Sequence, residues 1–259
     1  MRNHMPRERE GTRKSMRERS TEERGNSSQT RAKSVARKKL PLKSELTVTT
    51  HESVYRGLRD RILFGGFLPG TSVTLRGLAE TMGVSPMPIR EAVRRLIAER
   101  ALQMQDNRRV LVPPMTQDAF EQIVYARKTL EPELAARAMD NIGPAEIRQI
   151  AAFDKAVDRA MAASDVHAYM EANYRFHFAI YQRANAHTLQ ALVESIWLQF
   201  GPFMRMAYHR WGTSDLEDQH QAAIAALQAG DRKALRAAIA ADASQGMSFI
   251  GEAVLRRTS

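Results

Sequence analysis

The 259-residue chain contains no cysteine, which excludes disulfides and thiolate metal sites and fits a reducing compartment. No run of about 18 apolar residues is present, the length a helix needs to cross a bilayer. The basic start of the chain lacks the apolar stretch of a secretory signal, so the expected location is the cytoplasm. There is no Gly-rich phosphate loop, no triad-like set of nucleophile and base, and no internal repeat. Together these absences argue against an enzyme and a repeat array.

What is present is positive charge, and it is unevenly spread. Residues 1–47 hold 14 Lys and Arg against 6 Asp and Glu, residues 48–114 hold 10 against 6, and residues 115–259 hold 15 against 17. The excess belongs to the first two segments, so a nucleic-acid partner is to be sought there. Residues 1–47 have almost nothing to bury, cannot offset their ordering entropy, and are expected to be a disordered basic tail. That tail reads either as a phosphate-attracting arm or as a solvated extension with Met5 or Met16 as alternative starts.

From Val48 the pattern changes to that of a compact unit ending at Pro114. Val54, Leu58, Ile62 and Leu63 recur at helical spacing before Gly65-Gly66, and Leu68-Pro69-Gly70 reads as a turn. A second helix carries Leu75, Leu78, Ala79 and Met82 and stops at Gly83, which suits the left-handed position past a helix end. Ser85 then stands as an N-cap before a third helix with Ile89, Ala92, Val93, Leu96 and Ile97 on one face. The stretches Ala101–Met104 and Val110–Val112 predict a two-stranded hairpin with a basic tip.

Three short helices and a hairpin make a winged helix-turn-helix, whose third helix enters the DNA major groove. The exposed candidates for contact are Ser85, Met87 and Arg90 at its start, Arg94 one turn on, Arg76 on the second helix, and Arg108 and Arg109 on the wing. Residues 115–259 predict about six helices, with breaks at Asn141-Ile142-Gly143-Pro144, Ser164-Asp165, Asn185-Ala186-His187, Gly201-Pro202, Gly212-Thr213-Ser214 and Gly230-Asp231. The fold class expected is therefore mainly α: a winged helix-turn-helix followed by an all-α helical bundle.

In that bundle Asn173 and His177 are four residues apart and share a helix face. His220 and Asp242 lie at similar distances either side of Gly230-Asp231, so an antiparallel turn there brings them level. Two imidazoles, a carboxylate and an amide oxygen suit Zn, Ni, Mn or Fe. Unpaired with a metal, the histidines read as ordinary helix residues.

The string Gly83-Val84-Ser85-Pro86-Met87-Pro88-Ile89-Arg90-Glu91-Ala92, with Gly66-Phe67-Leu68-Pro69-Gly70 and Leu78-Ala79, resembles the GntR family of bacterial regulators. The resemblance implies operator contacts by Arg76, Ser85 and Arg90 and a wing reaching the minor groove. Pro86 stands where many members carry a DNA-touching arginine, and Asn107-Arg108-Arg109 replaces a common wing-tip glycine. Tyr125-Ala126-Arg127, Leu130-Glu131, Phe176-His177 and His220 with Gly230-Asp231 look like the all-helical FCD domain of one GntR branch. That likeness implies a metal site in which Asn173 replaces an aspartate and Asp242 replaces a histidine. It also implies that Arg127 faces the same cavity and pairs with an effector carboxylate; the alternative is a helix-surface ion pair with Glu131 four residues on.

The function expected is a homodimeric, ligand-responsive regulator, a repressor released from a palindromic operator on double-stranded DNA by a small carboxylate. A metal-dependent enzyme tethered to DNA and a metal sensor are the alternatives at this point.

Overall fold

The computed structural model describes residues 43–107, 109–211 and 218–255. Most of the expected tail, together with Arg108 and the Gly212-Thr213-Ser214 break, lies outside these residues. The first element, α1 (Lys43–Leu63), starts inside the segment expected to lack structure.

Helix α1 is followed by β1 (Val73–Thr74), α2 (Leu75–Met82), α3 (Pro86–Ala98), β2 (Gln103–Met104) and β3 (Arg109–Leu111). The core of this unit is the apolar face read from helical spacing: Leu58, Ile62, Ile89 and Leu96 are fully buried. Thr74 caps α2 by accepting from the Gly77 N–H at 2.9 Å. Gly83 ends that helix at φ 64°, ψ 31°, with its N–H returning to Ala79 and Glu80 carbonyls. A Cβ at this φ is strained, so glycine permits the sharp turn into α3.

The hairpin is the middle and one edge of a three-stranded sheet with order β1-β3-β2. Strand β1 pairs Val73 with Val110 and Thr74 with Arg109. Two residues are too short to show alternation, so this strand has no signature in the sequence.

Six further helices follow among the described residues: α4 (Gln117–Ala138), α5 (Pro144–Ala162), α6 (Val166–Tyr181), α7 (His187–Trp211), α8 (Gln219–Ala229) and α9 (Arg232–Val254). Side chains of Asp165, Asp218 and Asp231 cap α6, α8 and α9. Ser164 instead takes the left-handed position at φ 54°.

The break expected at Gly201-Pro202 does not occur; α7 runs through it with Pro202 inside. Proline in a helix interior costs about 3 kcal/mol. Phe200, Phe203, Met204 and Ala207 are all buried around it, and each large apolar side chain returns about 1.5–3 kcal/mol on burial. Packing therefore outweighs the local penalty.

The same helix holds the DNA-side unit. Glu194 pairs with Arg59 at 3.0 Å, Ser195 Oγ donates to the Glu99 carbonyl at 3.0 Å, and Arg205 donates to the Gly65 carbonyl at 3.4 Å. A Cβ at Gly201 would stand 3.2 Å from the Leu63 carbonyl oxygen, so glycine lets α7 approach the end of α1.

Within the first unit the Tyr55 hydroxyl donates to Glu99 Oε1 at 2.7 Å. Burial and then the Glu99 carboxylate push this phenol up to about 12 from its usual 10. The neutral phenol thus stabilises the fold below pH 10, and that contribution is lost as pH rises through about 12. The stability advantage of the parent over Tyr55→Phe, measured by urea unfolding, is expected to shrink across this window. A constant difference would rule the pair out as the cause.

Candidate functional site

Helix α3 presents its first turn to solvent. Ser85 occupies the N-cap with φ −69°, ψ 158°, yet its hydroxyl makes no capping bond. Met87 is 59% exposed, and Arg90 and Arg94 are exposed on the following turns. Arg94 is engaged with Glu91 at 2.8 Å and Arg76 with Glu80 at 3.2 Å. Arg90 makes no ion pair among the described residues. Its guanidinium is the uncommitted charge on the helix. Arg109 is half-buried; its Nε donates to Ser72 Oγ and its Nη2 to the Ser72 carbonyl, both at 2.8 Å. In this structure it fastens the wing to the edge of β1.

The second feature is a cavity of about 330 Å³ inside the helical bundle, with Arg127, Asn173, His220 and Asp242 in its walls. Helix α6 supplies Asn173 and His177 one turn apart, both buried. The α8–α9 turn, with Gly230 at φ 67°, sets His220 and Asp242 level. His177, His220 and Asp242 each offer a ligand atom, all within 4.8 Å of one another. His177 Nε2 stands 3.2 Å from Asp242 Oδ2, and His220 Nε2 stands 3.6 Å from Asp242 Oδ1. The spacing argument thus brings these three together, and Asn173 lines the cavity beside His220 and Asp242.

The hydrogen bonds behind the cluster decide which ring nitrogens are available. Tyr181 donates its hydroxyl proton to Glu131 Oε2 at 2.8 Å, so its oxygen accepts from His177 Nδ1 at 3.1 Å. Asp154 Oδ1 accepts from His220 Nδ1 at 3.0 Å. Both neutral rings therefore carry the proton on Nδ1 and a lone pair on Nε2. His177 Nε2 is buried with no hydrogen-bond partner among the described residues. Two lone pairs facing a carboxylate repel unless a cation lies between them, so the donor set fits a divalent metal.

A proton answers the same need when no metal is held. Burial would lower the His220 pKa, but the Asp154 hydrogen bond and the Asp242 charge leave it raised above 6.5. Burial would raise Asp242, but His177, His220 and Arg127 hold its carboxyl well below the usual range.

Sequence reasoning missed three supporting residues. Asp154 on α5 bonds His220 and also accepts from Gln221. Tyr181 lies four residues after His177, a spacing that could have revealed it. The sequence offers Glu131 only as a surface partner of Arg127. In the structure both residues are buried, and the pair is a two-point fork at 2.6 and 3.2 Å. Arg127 also lies over the Phe200 ring at 4.1 Å. The ion pair with Glu131 therefore forms, but in the interior and not on the surface, and Arg127 also lines the cavity.

Comparison with known proteins places these features. Residues 50–112 match the model of bacterial regulatory proteins, gntR family, and residues 122–244 match the FCD domain. The chain is 26% identical over 200 residues to the HTH-type transcriptional regulator McbR of Escherichia coli strain K12, covering 76% of this chain and 90% of that one. It is 24% identical over 200 residues to the HTH-type transcriptional repressor GlaR of the same strain, covering 72% of this chain and 88% of that one. The solved structure of E. coli McbR superposes with a TM-score of 0.72 at 25% identity, covering 78% of this chain and 97% of the other. A GntR protein from Rhodococcus sp. RHA1 shares the fold, with a TM-score of 0.65 at 23% identity over 79% of this chain and 99% of its own. The gntR-family model and the relatives McbR and GlaR are of transcriptional regulators, which sets aside the tethered enzyme. The chain thus joins a GntR-type DNA-binding domain to an FCD domain, the make-up of a transcriptional regulator of the GntR/FCD type.

Proposed function

We propose that this regulator is a metal-holding repressor that leaves its operator when a small carboxylate enters the helical domain. What supports the reading is one juxtaposition: helix α7 lines the cavity with Phe200 and Met204 and grips the DNA-side unit through Glu194, Ser195 and Arg205. A ligand pressing on one face of that helix bears on the other, because packed helices shift as units. The effector must prefer one placement of the two units, since equal affinity for both shifts nothing.

His177, His220 and Asp242, with Asn173 beside them, would hold the ion. Bound there, a divalent metal supplies a Lewis-acidic position for a carboxylate oxygen. Arg127 would orient the effector from the other wall; its Nε and Nη2 are committed to Glu131, which leaves Nη1 outside that fork. Phe200 and Met204 would cover the apolar remainder of the molecule. Two copies of the chain would read two half-sites about one helical turn apart on a palindromic operator. GlaR, a repressor by name, gives the repressing direction its precedent.

At the DNA, Arg90 would make a two-point contact with guanine, a pairing worth about 1–3 kcal/mol of discrimination. Ser85, Arg76, Arg94 and Arg108 would hold phosphates, while Arg109 braces the wing through Ser72. Arg90→Ala is expected to lose sequence-specific retention in gel shift while its circular dichroism and oligomeric state match the parent. Undiminished specific binding would overturn the assignment of α3 as the reading helix.

A metal sensor, in which the ion is itself the signal, is the second reading. It is favoured by the orphaned Nε2 of His177. Metal-dependent DNA release without any organic acid would select it.

A further inference from the structure

The tip of α3 carries an unusual surface for an element that reads DNA. Its first helical residue is Pro86 and its third is Pro88. Neither has an N–H, so two of the donors that a helix start normally offers to phosphates or base edges are missing. The Ser85 hydroxyl is the polar group at the very end, and Arg90 is the next. Between them stands Met87, 59% exposed, a large apolar side chain with no place in the core.

An exposed methionine at a helix tip is poorly placed for water and well placed for an apolar partner. Its long thioether adapts to irregular surfaces. In the major groove the apolar feature of a base edge is the 5-methyl group of thymine. The charge on these two helices matches a DNA surface: Arg90 stands free one turn on, Arg94 is exposed one turn further along α3, and Arg76 is exposed on α2.

Resting on the assignment of α3 as the reading helix, we infer that Met87 is a specificity-determining residue that selects thymine by covering its 5-methyl group. Met87 contributes no hydrogen bond and reads the base by apolar contact alone. The proline-flanked tip, short of donors, then suits a thymine methyl better than a guanine edge, whose N7 and O6 both need donors. Arg90 would read the neighbouring guanine, and the two side chains together would define a short thymine-guanine element in each half-site.

The test uses the full chain. A randomised duplex library is selected for bound sequences, and each thymine of the enriched site is then replaced singly by deoxyuridine, which removes only the methyl group. The expected result is one thymine per half-site at which the loss weakens the parent roughly threefold to tenfold, the scale of burying one methyl group. Met87→Ala should bind the unmodified site with a similar loss and show no further loss with deoxyuridine at that thymine. Being exposed, the position tolerates alanine, and circular dichroism checks this.

A site at which no thymine methyl matters overturns the inference, as does a Met87→Ala variant that keeps the full deoxyuridine penalty. The latter result would point to DNA shape or to another residue. Equal DNA affinity of Met87→Ala and parent, with weaker self-association, would overturn it in favour of a protein contact. An absence of any enriched sequence would remove the reading-helix assignment itself, and this inference with it. That failure is told apart from the others because Arg90→Ala then also changes nothing.

Discussion

Alanine at both His177 and His220 is expected to abolish the proposed metal binding, metal content by mass spectrometry falling from about one per chain to near zero. The two rings supply the lone pairs that face Asp242. Losing them removes the nitrogen donors and leaves one carboxylate and one amide. A bound ion present at a hundredfold over its dissociation constant stabilises the fold by about 2.7 kcal/mol, so the parent's melting temperature should respond to chelator and the variant's should not. Asp154→Ala is the subtler test. The Asp154 carboxylate orients His220 through Nδ1, and losing such a partner weakens metal binding roughly 10- to 100-fold. Equal metal content in parent and double variant would reject the site.

The direction with pH follows from His220. Its raised pKa means that the protonated ring stabilises the metal-free fold below about 6.5 and that this help fades as pH rises through the folded value. A metal ligand must be deprotonated. Metal retention should therefore fall as pH drops below the folded His220 pKa, whereas the metal-free protein gains stability there.

Glu131→Ala is expected to be among the most damaging single changes outside the apolar core, costing about 3–5 kcal/mol, because it strands a buried guanidinium. Arg127 and Glu131 are 3% and 0% exposed, and Glu131 also accepts from Tyr181. Losing Glu131 thus leaves Arg127 uncompensated and frees the Tyr181 hydroxyl that fixes the His177 ring. At about 2–4 °C per kcal/mol for a domain of this size, the melting temperature should fall by roughly 6–20 °C.

The paired replacement Arg127→Met with Glu131→Met distinguishes structure from binding. Exchanging both members of a buried pair for apolar groups is often neutral or stabilising, so the double variant should melt well above Glu131→Ala and below the parent only by the cost of the Tyr181 hydroxyl losing its acceptor. It should nonetheless lose the response to carboxylate effectors, since the guanidinium is gone. A double variant that still releases DNA on addition of the effector would remove Arg127 from ligand binding and leave it a structural role.

These expectations rest on features of different legibility. The first unit was readable because its signals are local. Leu58, Ile62, Ile89 and Leu96 repeat at helical spacing and are all buried, and Gly83 takes the left-handed turn that its place in the chain demands. The cluster of His177, His220 and Asp242 was also readable, because a four-residue spacing and a turn at Gly230-Asp231 dictate which side chains come level. In both cases the backbone geometry of one or two helices determines the answer.

The sequence by itself therefore determined the helical pattern, the turn into the reading helix and the pairing of two histidines with a carboxylate. Only the tertiary structure decided what stands behind them. Asp154 reaches His220 across 66 residues of chain and Glu131 reaches Tyr181 across 50, partners chosen by how helices pack and not by any period. Packing likewise carried α7 through Pro202 and turned the Arg127–Glu131 pair inward. Burial energy summed over many side chains exceeds a local helix penalty, and a low-dielectric interior makes a buried charge keep its partner.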